Sequence, residues 1–439
     1  MSPGDPSSSE ANPSVSRTGA PPDHSNGDVV DSLASQASVD RARLPARSAL
    51  WIPVVVFALT RVIDTILILV MSSHQTHARE DGPLVMVVDP APAHPGYLDM
   101  LTNWDGQWYQ QIAERGYPSH LPTSDGEVQQ NAWAFYPLYP ALVRLVMSLS
   151  GLPFAAAATL VSLSAGFAAA VLVFRLLEPR VGAFHAGMTV LVLGLSPAGV
   201  VLQAAYTESL ALLLVVACLG LLAARRYGLL MIASTALALT RPIVLPLALV
   251  IVVHGVVRWR RRGELPFRRA EMWRCAAAVA VTVASFTIWP VVCALRTGVP
   301  DGFLQTQQAW ISASSGQPTW LAATVHGFGG AAAGAALIAV LVLLATVLRP
   351  NAPSWGLEWR AWAITYSAYV FLVTLPVAAV LRYAMLTVIP WWPFNPEAVG
   401  RTPQRRAVTI AVVVAFGIST QVAWMTYFYV IGPHLVTNP

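Results

Sequence analysis

NWDGQWYQQIAERGY (103–117), with AFYPLYP (134–140) behind it, decides how this chain is read, because it sets one carboxylate, Asp105, between Trp104 and Trp108 in an otherwise apolar protein. Working outward, 55% of the residues are apolar and 11% charged, and the mean hydropathy is +0.57. That balance is far from a soluble domain and predicts an all-α, polytopic integral membrane protein. The formal charge of +5 does not point to nucleic acid, because the arginines are scattered between apolar runs and build no continuous basic face. Cys218, Cys275 and Cys293 all fall in apolar runs, and the last two lie about 27 Å apart if they share one helix, so they read as packing residues.

Residues 1–45 are rich in Ser, Pro, Gly and Asp and poor in large apolar side chains, which predicts a disordered cytoplasmic tail before a membrane domain over 46–439. No charged n-region and short apolar h-region open the chain, so the first apolar run, 50–72, is expected to cross the bilayer and stay there. Short cytoplasmic segments collect arginine, and on that rule Arg41, Arg43 and Arg47 hold the N-terminus inside. The segment 73–133 carries eight acidic residues against two arginines, and it is placed outside as the core of a large first extracytoplasmic loop over 73–150. Its segment 135–150 would reverse the later topology if it crossed, so it is laid along the outer surface as an amphipathic helix.

Further spans are expected at 154–174, 183–203, after Glu208, 228–240, 242–257, 272–295, 319–347, 360–380, 384–398 and 407–431, about eleven in all with an error of about one. Two of these, 242–257 and 384–398, are shorter than a full crossing requires and suit helices that line a protein cavity. The basic stretch RWRRRGELPFRR (258–269) reads as an inner anchor beside anionic headgroups.

Asp105 then reads in two ways: as an N-cap of the helix that follows it, or as a general base at the mouth of a cavity, with Trp104, Trp108 and Tyr109 offering aromatic faces to a sugar. Glu208, beside Tyr206, reads as a solvated helix end or as a second carboxylate on the same outer surface. Arg241 in LALTRP and Arg382 in VLRYAM interrupt apolar runs. Each reads as snorkelling to headgroups or as a phosphate clamp, since a guanidinium stays charged and offers a fork of donors. Arg61 and Asp64 stand three apart on one helix face and read as a structural pair. Trp310 reads as a sugar platform or as part of an interfacial aromatic belt. His74, His77, His94 and His120 lack metal-ligand spacing, and no metal or other cofactor is predicted. No P-loop, GxGxxG or GxSxG motif is present, which argues against a nucleotide-sugar donor.

WDGQWYQQIAERGY, AFYPLYP, SPAGVVLQAAYTES and LALTRP, in that order over 103–245, resemble the PIG-V type of mannosyltransferase and its bacterial relatives within the polytopic GT-C glycosyltransferases. Beyond 245 the likeness is hydropathy with Trp310 and Arg382. The resemblance implies a GT-C-like fold and an inverting, plasma-membrane hexosyltransferase. It would move mannose from polyprenyl-phosphate-mannose to an extracytoplasmic glycolipid or glycan acceptor and form an α-mannoside. By position it implies Asp105 at the catalytic centre, with Glu208 assisting and Trp104, Trp108, Tyr109, Tyr206, Arg241, Trp310 and Arg382 contacting substrate. The interval before Phe135 is longer than in the eukaryotic members and holds Asp125 and Glu127, either of which could replace Glu208 as the second carboxylate. The competing readings are a lipid-linked sugar flippase or transporter, disfavoured by the absence of an internal repeat, and a non-catalytic subunit of a membrane glycosyltransferase complex.

Overall fold

The computed structural model describes residues 49–77, 92–313, 355–374, 379–388 and 402–432. The expectations for the tail 1–45 and for the spans at 319–347 and 384–398 fall wholly or mostly outside these residues. What is described is helical, apart from a two-stranded hairpin.

The first helix, α1 (Trp51–Ser72), shows why the protein belongs in a membrane. Its inward stripe is Phe57, Thr60, Arg61, Asp64 and Ile68, all buried, while Leu59, Val62, Ile66 and Leu69 are each more than half exposed. Apolar side chains outside and charged ones inside invert the pattern of a water-soluble helix and match a lipid solvent. Four helical segments among the described residues are long and apolar enough to cross a bilayer: Trp51–Ser72, Phe154–Gly194, Arg269–Thr297 and Pro403–Tyr429.

After α1 the chain forms α2 (Tyr97–Met100), α3 (Asp105–Arg115), the hairpin β1 (Thr123–Ser124) and β2 (Glu127–Val128), and α4 (Leu138–Ser150). Gly116 ends α3 at φ +81°, and its N–H returns to the Ile112 carbonyl at 2.9 Å. In the hairpin, Thr123 faces Val128 and Ser124 faces Glu127, and the turn residues Asp125 and Gly126 take φ of +51° and +84°. An Asp-Gly pair at positive φ is the preferred two-residue hairpin turn. It leaves Asp125 and Glu127 exposed. Helix α4 has 13 residues, about 20 Å, too short to cross a hydrocarbon core of about 30 Å. It buries Tyr139, Pro140 and Val143.

Next comes α5 (Phe154–Gly194), whose 41 residues would reach about 60 Å if straight. Gly182, at φ +79°, breaks it into two arms, next to the start expected for the run 183–203. The second arm stops at Gly194, short of the expected 203, although the residues after it are still apolar. Pro197, which has no N–H to give and crowds the carbonyl four residues back, stops the helix, and side chains take the carbonyls left free. Arg61 donates to Gly194 O at 2.7 Å and to Gly199 O at 2.8 Å, and Gln421 Nε2 donates to Gly194 O at 3.3 Å and to Ser196 O at 3.2 Å. A Cβ on Gly199 would collide with the Gly194 carbonyl, so this close approach needs glycine. The 195–207 link therefore carries only a 3₁₀ turn, Gly199–Leu202.

The remaining helices are α6 (Glu208–Ala223), α7 (Tyr227–Ala238), α8 (Val244–Arg260), α9 (Arg269–Ser285), α10 (Ile288–Thr297), α11 (Gly302–Ala313), α12 (Leu357–Val373), α13 (Ala379–Met385) and α14 (Pro403–Trp424), the last continuing into a π turn, Met425–Tyr429. Cys275 and Cys293 sit on α9 and α10, on either side of a break at Phe286 and Thr287, and all three cysteines are free and buried. The core is built on α1, α5, α6, α7 and α8. A separate aromatic layer of Trp108, Tyr109, Phe135 and Tyr139 seats α3 on α4.

Candidate active site

Asp105 is the first residue of α3, and the residue before it is in a rare conformation: Trp104 has φ +59° and ψ −116°. A bulky residue there is strained, and the strain persists only where surrounding structure imposes it. Here the restraints come from distant parts of the chain. The Trp104 indole N–H donates to Tyr429 O at 2.8 Å, and Tyr429 Oη donates to Met100 O at 2.6 Å. Asn103 Nδ2 donates to Gln75 Oε1 at 2.9 Å, Tyr206 Oη to Asn103 O at 3.2 Å, and Ala205 N–H to Leu101 O at 2.9 Å. The end of the α1 segment, the 195–207 link and the π turn thus clamp 100–104 and aim Asp105. Asp105 makes no N-cap; that position belongs to Trp104, without a side-chain cap.

Asp105 points at arginine. Arg382 Nη1, from α13, donates to Asp105 Oδ2 at 2.7 Å and lies 3.5 Å from Glu208 Oε1. Glu208 Oε1 is also 2.7 Å from Arg241 Nη1, which donates to Thr207 Oγ1 at 3.1 Å. Four charges from four segments therefore alternate in sign, Asp105, Arg382, Glu208, Arg241, and sum to zero. Alternation of this kind is what permits ions to be buried, since an uncompensated one costs several kcal/mol. Tyrosines fill the gaps: the Arg382 guanidinium lies over the Tyr206 ring at 4.9 Å, and that of Arg241 over the Tyr383 ring at 4.9 Å. Burial, then the nearby Asp105 carboxylate, push the Tyr206 phenol well above its ordinary range, so it remains a neutral donor.

Exposure is uneven along the row. The side chains of Glu208, Arg382, Arg241 and Asp105 are 0%, 3%, 13% and 27% accessible, so Asp105 is the most open member of the row. Glu208, expected as a catalytic partner, is wholly buried and lies against both arginines. Neither arginine snorkels; both are turned inward onto carboxylates.

The aromatic residues expected to contact a sugar are otherwise engaged. Trp108 stacks on Phe135, centroids 5.5 Å apart, and meets Trp310 edge-on at 5.2 Å. Tyr109 packs against Phe135 at 5.2 Å and Tyr139 at 5.1 Å. Both side chains are buried, so Trp108 and Tyr109 support α3 instead of offering open faces, and Trp104 is tied to Tyr429. Trp310 is half-buried within the same aromatic layer. Asp125 and Glu127 do not join the row, because the hairpin turn holds them in solvent. Among the described residues no group of three or more His, Cys, Asp or Glu comes together to hold a metal ion. Arg61 and Asp64 do pair, at 2.8 Å.

Tyr383, Thr207, Asn103 and Tyr429 belong to the site without having been expected from sequence. Tyr383 and Thr207 are chain neighbours of Arg382 and Glu208, a signal that could have found them. Tyr429 carries none, standing 325 residues from the tryptophan it holds. No family model matches this chain, and no curated protein matches it.

Proposed function

We propose that the protein is an inverting glycosyltransferase that moves mannose from polyprenyl-phosphate-mannose to a glycolipid or glycan acceptor outside the plasma membrane, forming an α-mannoside. The observation that carries the reading is the row Asp105–Arg382–Glu208–Arg241: a partly accessible carboxylate backed by one buried and one largely buried guanidinium group in an apolar, membrane-embedded protein. The order of motifs over 103–245 supports it.

In this reading the acceptor hydroxyl meets Asp105 and attacks the anomeric carbon on the side away from the phosphate. A bond forms between the acceptor oxygen and that carbon, and the bond from the carbon to the phosphate oxygen breaks with its electron pair. The hydroxyl proton passes to Asp105, and the polyprenyl phosphate leaves with one more negative charge than it had as a diester. Arg382 and Arg241 oppose that charge as it develops, in a site from which water is largely excluded. Glu208 keeps the two guanidinium groups in place without meeting substrate. The leaving group is already an acidic phosphate, so no separate acid is required.

The test is transfer of labelled mannose from polyprenyl-phosphate-mannose to endogenous acceptors, in membranes holding equal amounts of wild type or Asp105→Asn. Label in product with wild type alone supports the assignment, and the product identifies the acceptor. No difference between wild type and membranes lacking the protein would reject the donor, and lipid flipping would become the assay to run.

A further inference from the structure

In the proposed transferase Arg382 has two duties: it binds Asp105, and it is to oppose a phosphate. Resting on that functional reading, we infer that Asp105 holds the phosphate's seat on Arg382, that the donor's phosphate displaces it, and that only the displaced carboxylate is free to meet the acceptor hydroxyl. Donor therefore binds before acceptor.

The geometry points this way through the exposure gradient along the row. Arg382 is 3% accessible and is flanked by two carboxylates, at 2.7 Å (Asp105) and 3.5 Å (Glu208). Glu208 is wholly buried and holds Arg241 at 2.7 Å, so it cannot yield its place without stranding two cations. Asp105 is 27% accessible, at the start of a helix, and its described charged contact is Arg382 alone. Of the two carboxylates on Arg382, Asp105 is therefore the one an incoming anion can displace.

The exchange conserves charge at the guanidinium. A phosphodiester brings one negative charge and the aspartate withdraws one, so Arg382 is never left buried and unpaired. A phosphate also presents two oxygens to the guanidinium fork, which a bidentate contact rewards, whereas Asp105 engages it through one nitrogen and one oxygen at hydrogen-bond distance. Until the exchange occurs, Asp105 Oδ2 is aimed at a guanidinium and not at a hydroxyl. The carboxylate is thus unavailable as an acceptor of the hydroxyl proton before the sugar is in place, which couples activation of the acceptor to arrival of the donor.

Displacement predicts the opposite of what an ordinary binding residue would show: removing the Asp105 carboxylate should strengthen the phosphate lipid's hold. The experiment is equilibrium binding of a short-chain polyprenyl monophosphate to the purified full-length protein in detergent, comparing wild type, Asp105→Asn and Arg382→Gln, with thermal unfolding to confirm that each is folded. Asp105→Asn is expected to bind about tenfold more tightly than wild type while losing transfer, and Arg382→Gln at least tenfold more weakly. Equal or weaker binding by a folded Asp105→Asn, with wild type binding well, overturns the displacement and leaves the donor assignment standing. If wild type transfers mannose yet does not bind the phosphate lipid, the displacement is likewise overturned. If wild type neither binds the phosphate lipid nor transfers mannose, the functional reading itself falls, and the displacement with it.

A second measurement needs no variant. With wild type, an acceptor analogue lacking the reacting hydroxyl should inhibit competitively against acceptor and uncompetitively against donor. Mixed or competitive inhibition against donor overturns the binding order.

Discussion

Helix α8 joins two buried charge networks that use similar parts in different ways. It begins beside Arg241 and ends at Arg260, about 25 Å further on. At its far end His254 Nδ1 meets Glu358 Oε1 at 2.8 Å, Tyr227 Oη meets His254 Nε2 at 3.2 Å and Glu271 Oε1 at 3.4 Å, and Arg258 Nη2 reaches Glu271 at 3.3 Å and Pro266 O at 3.0 Å. That network ties α7, α8, α9 and α12 together. Around it Arg260, Arg261, Arg262, Arg268 and Arg269 are exposed. At the Asp105 end the charges also pair, but in a single row whose accessibility rises from nothing at Glu208 to 27% at Asp105. The difference teaches that buried charge is not in itself a sign of chemistry. The far network also has a partly accessible carboxylate, Glu271 at 20%, but that network spreads over four helices around one guanidinium, whereas the row lines up two guanidinium groups behind Asp105.

The sharpest way to break the comparison is to remove the open end. Asp105→Asn is expected to lower mannose transfer by about 10²- to 10⁴-fold, the usual worth of a general base, while the protein accumulates normally. The matched change at the other network, Glu358→Gln, should leave transfer within about twofold. A large loss of transfer in Glu358→Gln, or none in Asp105→Asn, would erase the distinction.

Next in size is the sealed member. Glu208→Gln leaves Arg382 with Asp105 and Arg241 without a carboxylate, and a cost of about 3–5 kcal/mol is expected from stranding a largely buried ion. Chemical denaturation in detergent measures it, and a stability equal to wild type would contradict the anchoring role given to Glu208. A smaller effect is expected at the far network, where Glu358→Gln weakens a charge-assisted hydrogen bond to His254 and should cost about 1–3 kcal/mol. The least is expected from Arg260, Arg261 and Arg262 changed together to Gln: these side chains are exposed, and neither the unfolding midpoint in neutral detergent nor transfer should move measurably.

Much of the row is legible in the sequence because charge stands out against an apolar background. Asp105, Glu208, Arg241 and Arg382 are each conspicuous for interrupting or bordering apolar runs, where an ion is tolerated only if paired. Their pairing with one another is not legible, since Asp105 and Arg382 are 277 residues apart. Arg61 and Asp64 can be paired from sequence because three residues along a helix is a local relation. The early end of α5 does have a local signal, Pro197, which the apolar content around it masks; the donors from residues 61 and 421 that take the freed carbonyls have none. The Asp125-Gly126 turn carries a local signal that outweighs any chemistry assigned to Asp125, since Asp-Gly at a hairpin is among the stronger short-range signals. Trp108 and Tyr109 are conspicuous as aromatics, but composition does not reveal whether a ring faces a ligand or its neighbours.

The strained backbone at Trp104 bears on how the protein comes into being. Its conformation is held by the carbonyl of Tyr429, in a turn that is synthesised more than three hundred residues later. During translation the first loop is already outside the ribosome while that carbonyl does not yet exist, so nothing compels residue 104 to leave its relaxed backbone. Arg382 is likewise still to be made. The backbone that aims Asp105 and the charged row it joins are therefore complete only late in synthesis, and a prematurely stopped product would sit in the membrane without either, and so, on the proposed function, without activity.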